Sequence, residues 1–308
     1  MRWLDHRAAM PAALRGAIIA LGNFDGFHRG HQAVAGEAIR WAQAEGRPSI
    51  IATFDPHPVR FFRPDVPPFR LTTLEQRQEL YLAAGATAML VFHFDADLAG
   101  TSAEDFIAAI LIERFGAHGV VTGADFTFGR QAKGDVALLR ALGGEMGLQA
   151  RVVAAVQADG EVVSSSRIRQ ALRDGDPQEA ARLLTRPFAI RGIVEHGDKR
   201  GRTIGYPTAN LGVENYLRPK YGIYAVTGRI LATGAVLKGA ANIGIRPQFT
   251  PPKELLEPYF FDFSGNLYGQ EIEVAFHHYL RGEAKFDSLE ALIAQMDKDC
   301  AEARRLLG

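Results

Sequence analysis

The chain has 308 residues, 47% of them hydrophobic, enough for two domains of ordinary size, each with its own core. Lys plus Arg and Asp plus Glu balance at 35 each, so no overall basic excess draws the chain to nucleic acid or an anionic membrane, and any phosphate binding has to be local. No run of about 18 apolar residues suggests a membrane span, and a single cysteine, Cys300, cannot form an internal disulfide, so a soluble cytoplasmic protein is expected.

Up to about residue 185, short apolar runs alternate with helical patterns. "GAIIALGNF", "PSIIATF", "ATAMLVF", "HGVVTGADF" and "LQARVVAAV" read as buried strands. Between them "HQAVAGEAIRWAQAEG", "TLEQRQELYLAAG", "SAEDFIAAILIERFG" and "DVALLRALGGEMG" carry apolar residues every three or four positions. This rhythm predicts an α/β domain over residues 1–185, a parallel sheet wrapped by helices with its site at the carboxyl ends of the strands. The apolar part of "AALRGAIIALGNF" is short and runs into a glycine-rich turn rather than a cleavage site, so it is not read as a signal peptide.

Near "RDGDPQEAARLLTRPFAIRG" the pattern changes. After a short helix ending at Arg186-Pro187, "FAIRGIVEHG", "KYGIYAVTGRI", "AVLKGAANIG", "EPYFFDF" and "EIEVAFHHYL" are strand-like with tight Gly or Asn turns. They predict a small antiparallel β-barrel or sandwich over residues 186–308, closed by a C-terminal helix in which Leu289, Leu292, Ile293, Met296 and Cys300 keep helical spacing. In that stripe Cys300 reads as core filling rather than a nucleophile.

The turn "GNFDGFHRGH" sets His28 and His31 three apart where a strand gives way to a helix. A zinc site could add Asp55 and His57 from "TFDPHP", but no cysteine is near and the i,i+4 spacing of a zinc-protease helix is absent. A phosphate site explains more of the surroundings: Gly22, Gly26 and Gly30 let the backbone approach a ligand, and a helix starting near Gly30 would aim free N–H groups and its positive end at it. Two imidazoles there can donate to a phosphoryl group as charge grows during nucleotidyl transfer.

"HRGH" at 28–31 resembles the His-x-Gly-His signature of the nucleotidyltransferase superfamily, and "SSSRIR" at 164–169 resembles its Ser-Ser-Thr-x-Ile-Arg signature, with Ser166 where Thr is usual. Together with "TFDPHP" and "GADFTFG", these motifs resemble the N-terminal module of bacterial riboflavin kinase/FAD synthetases. The resemblance implies that Asn23, His28 and His31, beside Gly22, hold and polarise ATP phosphates. It further implies that Ser164, Ser165 and Arg169 close on the triphosphate, and that Asp125 and Phe128 lie near the flavin. Arg169 offers a planar, permanently charged fork suited to phosphate oxygens. Lys133, in "GRQAKGD", is a weak phosphate-seeking candidate or simply a surface lysine.

"HGDKRGRTIGYPTANL", residues 196–211, gathers glycines and cations in the barrel-like half. Gly197, Arg202 and Gly205 could cradle phosphate through backbone N–H groups, although the P-loop pattern is absent and a hairpin turn with solvated charges is the plain alternative. Residues 187–308 resemble the riboflavin kinase module nearly end to end, in "GRTIGYPTANL", "PKYGIYAV", "NIGIRPQF", "EPYFFDFSGNLYG" and "LRGEAKFDSLEALIAQMDKD". By that resemblance Thr208 and Asn210 bring Mg2+ and ATP phosphates together, and hard oxygen ligands suit that ion. Glu257 would be the base that takes the proton of the ribityl 5′-hydroxyl, with Glu254 and Glu271 as near alternatives. Arg281, with Glu283, would help position the isoalloxazine or form a helix-flanking salt bridge. Tyr259, two places after Glu257 where His is common, and Ile245 and Gln248, where Thr is frequent, depart from the family pattern.

The expectation is a bifunctional enzyme. The barrel phosphorylates riboflavin with ATP to FMN, and the α/β domain transfers AMP from ATP to FMN, giving FAD and pyrophosphate. Its partners would be these small molecules, with no nucleic acid, no membrane and a monomeric or weakly homo-oligomeric state. The alternatives are an enzyme with one activity whose kinase half only binds flavin, and a flavin-sensing regulator in which both halves are binding modules.

Overall fold

The computed structural model describes residues 3–196, 206–246 and 253–308. The chain divides into two compact units, residues 1–66 with 73–164 and residues 67–72 with 165–308.

In the first unit, strands β1 (Leu4–Asp5), β2 (Ile18–Leu21), β3 (Ser49–Asp55), β4 (Ala88–His93), β5 (Gly119–Gly123) and β6 (Gln149–Val153) form an all-parallel sheet. Their order is β1-β4-β3-β2-β5-β6. Successive side chains enter opposite cores. Ile19, Leu21, Ile50, Ala52, Leu90 and Phe92 face one, and Ile18, Ala20, Ile51, Met89 and Val91 the other. Burial on both faces is why these strands read as continuous apolar runs rather than alternating ones.

The helices are α1 (Arg29–Ala44), α2 (Pro58–Phe62), α3 (Leu74–Ala83), α4 (Ala96–Gly100), α5 (Ala103–Asp105), which continues as a π-helical stretch Phe106–Arg114, and α6 (Val136–Glu145). α1 and α3 cover one face through residues such as Ala35, Ala38 and Tyr81; the π-helical stretch and α6 cover the other through Phe106, Ile107, Leu111 and Leu139. A ribbon of β7 (Gln157–Ala158) and β8 (Glu161–Val162) follows. The strand order reverses between β2 and β5, and the crevice beyond their carboxyl ends is the usual ligand position of such sheets.

The second unit begins with α7 (Ser165–Asp174) and α8 (Pro177–Leu184), which group with the barrel although the change of sequence pattern comes after them. Strands β9 (Phe188–Ile193), β10 (Leu211–Gly212), β11 (Gly222–Ile230), β12 (Val236–Arg246), β13 (Lys253–Phe260) and β14 (Glu271–Arg281) pair antiparallel in the order β10-β13-β12-β11-β14-β9. A bridge between Glu195 and Asn210, with the Glu195 N–H donating to the Asn210 carbonyl at 2.9 Å, links the two edges and nearly closes the barrel. Closure removes exposed sheet edges. Helix α9 (Leu289–Leu307), capped by the Ser288 hydroxyl, packs on β11, β12 and β14. Among the described residues no helix is long and apolar enough to cross a membrane.

Elements with a long apolar period match the sequence reading. The two-residue strands β1 and β10 and the single-turn helices α2 and α4 were not foreseen, because so few residues carry no period.

Candidate active sites

The first candidate site forms where β2 meets α1. His28 is the N-cap of α1, and its Nδ1 accepts the N–H groups of Gly30 at 3.1 Å and His31 at 3.4 Å. This corrects one expectation: the helix starts at Arg29, and those two first-turn N–H groups are engaged by the imidazole rather than free. The consequence is chemical. With Nδ1 accepting, the neutral ring carries its proton on Nε2, which becomes the donor. His31 stacks on His28 with ring centroids 3.6 Å apart and meets the edge of Phe24 at 5.3 Å. A Cβ at Gly30 would come within 3.1 Å of the His28 ring, closer than most side-chain contacts, so glycine leaves that ring its room.

The turn that delivers these rings is braced from below. Arg77 on α3 and Asp25 form an ion pair at 3.0 Å, with side chains 3% and 2% exposed. Arg77 also donates to Thr53 Oγ1 at 3.0 Å, and the Thr53 hydroxyl donates to the Asn23 carbonyl at 2.6 Å. Asn23 Oδ1 is buried without a hydrogen-bond partner among the described residues. Gly22 lies against the Phe24 ring, which a Cβ would approach to 3.0 Å. Sequence reasoning passed over Arg77; the available signal was a charged residue on the buried side of an otherwise ordinary helix.

The other candidates of this half lie at separate places. Asp125 is exposed just beyond β5, while Phe128 is buried in the core, 5.4 Å from Phe106 and 5.8 Å from the stacked Phe126. A further aromatic group, also missed, stands at the carboxyl ends of β3 and β4. Phe62, 64% exposed, packs on Phe61 and Phe94. His57 caps α2 through Nδ1 to the Val59 N–H at 3.2 Å. Among the described residues no group of three or more His, Cys, Asp or Glu could hold a metal ion. Ser164 closes the first unit, and Ser165 and Arg169 open the second, on α7. Arg169 donates through Nε to the Phe69 carbonyl at 2.9 Å, and its guanidinium lies 4.9 Å from the Phe69 ring centroid. Lys133 is exposed.

In the barrel unit a cavity of about 790 Å³ opens between β11, β12, β13 and α9, and Thr208, Glu257 and Arg281 line it together. Asn210 is buried, and the ladder pairing Leu211 with Leu256 sets it alongside Glu257. Glu257 accepts from Arg246 Nε at 2.7 Å and also from Nη2, and Arg246 reaches Glu283 at 3.4 Å. Arg281, on the cavity wall, grips Asp299 of α9 through Nε at 2.9 Å and Nη2 at 2.6 Å, so its ion-pair partner is Asp299 rather than Glu283. Tyr259 occupies the cavity wall and packs on Tyr206 at 5.0 Å. Tyr206 in turn donates to Asp297, and burial foremost drives its phenol pKa up. Ile245 is 45% exposed. Cys300, on the same wall, has a thiol pushed up to about 11, by burial first and then by Asp299 and Asp297. Gly197, Arg202, Gly205 and Gln248 lie outside the described residues.

The comparisons with known proteins divide the chain similarly. The FAD synthetase family model matches residues 10–167 and the riboflavin kinase family model residues 184–307. The bifunctional riboflavin kinase/FMN adenylyltransferase of Escherichia coli strain K12 is 37% identical over 302 residues, covering 96% of this chain and 95% of its own. The protein of the same description from Pseudomonas fluorescens is 39% identical over 293 residues, covering 95% and 93%. A crystal structure described as a macrolide-efflux protein from Streptococcus pneumoniae superposes with a TM-score of 0.87 at 30% identity, covering 99% of both chains.

Proposed function

Because the chain belongs to the bifunctional riboflavin kinase/FMN adenylyltransferase family and carries both activities, we propose that the two steps divide between residues 1–185 and 186–308. In the barrel, the riboflavin 5′-hydroxyl attacks the γ-phosphorus of ATP, its proton passes to Glu257, and ADP leaves. In the α/β domain, a phosphate oxygen of FMN attacks the α-phosphorus of a second ATP and pyrophosphate leaves. His28, His31 and Asn23 with Gly22 stabilise the phosphoryl charge there, His28 through its Nε2–H. Ser164, Ser165 and Arg169 are assigned to the triphosphate on the strength of the signature they resemble. Arg169 would exchange its Phe69 carbonyl contact for phosphate oxygens.

The observation that supports the kinase assignment most directly is the single cavity lined by Thr208, Glu257 and Arg281, drawn from three separate stretches of sequence. Thr208 and Asn210 offer a hydroxyl and a carboxamide oxygen beside a carboxylate, a hard donor set that fits Mg2+; bound there with nucleotide, the ion would neutralise phosphate charge. Gly197, Arg202 and Gly205 are assigned to the nucleotide phosphates. For the flavin of the second step, the Phe61, Phe62 and Phe94 face offers an exposed stacking surface, with Asp125 and Phe128 retained as neighbours of the flavin. We place the enzyme in the cytoplasm, monomeric or weakly associated, without nucleic-acid partners.

The test is a double dissociation in one polypeptide. The parent chain with riboflavin, ATP and Mg2+ should yield FMN and then FAD on chromatography. Glu257→Gln should stop FMN formation from riboflavin yet still adenylylate added FMN, and His31→Ala should do the reverse, each by about a hundredfold or more. Riboflavin phosphorylation at the parent rate in Glu257→Gln would sink the base assignment.

A further inference from the structure

Asn242 stands on β12 between Ile223 of β11 and Glu257 of β13, directly opposite each in the ladders. It lines the barrel cavity with Thr208, Arg246 and Glu257. Its Oδ1 is buried and has no hydrogen-bond partner among the described residues. Its ladder neighbours Ile223 and Glu257 offer it no side-chain donor, and the donors elsewhere on the wall, Thr208 and Arg246 among them, make no hydrogen bond to it. A carboxamide oxygen only accepts, and a buried polar atom left unpaired inside a working site is poorly placed unless a ligand supplies the missing donor.

We propose that Asn242 is a specificity residue of the kinase step that accepts a hydrogen bond from a hydroxyl of the substrate's ribityl chain. The inference rests on the reading of Glu257 as the base of that step. Residues directly opposite on neighbouring antiparallel strands project on one face with Cβ atoms about 5 Å apart. A substrate whose terminal hydroxyl meets Glu257 therefore presents the adjoining hydroxyls of the same chain to Asn242. The oxidised isoalloxazine has one N–H, on the ring remote from the chain's attachment, so the ring cannot serve both residues at once. Asn242 would thus select a flavin carrying its polyol chain, while the ring is held elsewhere in the cavity.

The experiment measures kinase initial rates of the full chain with riboflavin varied, and the inhibition constant of lumiflavin, the same ring with a methyl group in place of the chain. Asn242→Ala is expected to raise the riboflavin KM about tenfold, the loss of one hydrogen bond in a desolvated site. The lumiflavin constant, the ATP KM and the adenylylation of FMN should stay within about twofold of the parent, by the same reasoning that only the chain contact is lost. Asn242→Ser, which keeps an acceptor oxygen, should recover part of the KM. Equal weakening of riboflavin and lumiflavin, or a riboflavin KM equal to the parent's in a chain that Glu257→Gln inactivates, would overturn the proposal alone. A Glu257→Gln chain phosphorylating riboflavin normally would overturn the base assignment and this inference with it.

Discussion

Arg77 donates to Asp25 Oδ1 at 3.0 Å in the interior of the first unit, and through that contact α3 holds the turn between β2 and α1. The turn needs holding. Phe24 and Phe27 adopt left-handed backbone, with φ of 47° and 45°, which bulky residues disfavour, and each ring is nearly fully buried in the core that compensates for it. Asp25, Thr53 and the Asn23 carbonyl meet one guanidinium, so the position of His28 depends on a residue about fifty places later in the sequence.

Removing one partner of a buried pair leaves the other charge uncompensated. Arg77→Met should therefore lower the stability of the first unit by about 3–5 kcal/mol in urea unfolding. Thr53→Val is the gentler probe, costing about 1 kcal/mol. It should slow FAD formation from FMN severalfold while riboflavin phosphorylation in the same sample stays unchanged.

Asp299 is 6% exposed on α9 and accepts from Arg281 Nε and Nη2 as well as from Gln295 Nε2 at 2.9 Å. Asp299→Ala should cost about 2–3 kcal/mol, less than a fully buried pair because Arg281 keeps some water. Since this contact ties α9 to the cavity wall, phosphorylation of riboflavin should fall with it, and adenylylation of FMN should not.

The raised pKa of Cys300, about 11, makes it a slow nucleophile. At pH 8 its thiolate fraction should be on the order of a hundredfold below that of a free cysteine. Alkylation by iodoacetamide, followed by mass spectrometry, should be correspondingly slow. Riboflavin with ADP and Mg2+ should slow it further, because Cys300 shares the cavity wall.

His277 lies partly buried on β14 with Nε2 2.9 Å from Thr227 Oγ1, and burial, aided by His278, holds its pKa below the ordinary value. A depressed folded pKa means that the unfolded chain takes up the proton first as the solution is acidified. The stability linked to His277 is therefore complete above about pH 6.5, the unfolded value, and is lost as pH falls through the folded one. The barrel's unfolding midpoint should drop over that window, and His277→Gln should flatten the dependence. His6 of the first unit, lowered chiefly by burial, should contribute in the same direction.

The amino-acid sequence alone determined the major elements of the α/β sheet and the barrel, because the parallel strands β2 to β5, buried on both faces, and helices of ten or more residues impose a local period. It also offered His28 and His31 as candidates in a short motif, while Thr208 and Glu257 came from the resemblance to the riboflavin kinase module, which alone preferred Glu257 to Glu254 and Glu271. Tertiary structure decided what no local period encodes. It grouped α7 and α8 with the barrel, turned His28 into a helix cap through its Nδ1, and set Arg77 against Asp25. It also brought Asn242 and Arg246 onto Glu257. These relationships follow from strand order and register between segments far apart in sequence, where the position of one residue is fixed by packing against another and not by its neighbours in the chain.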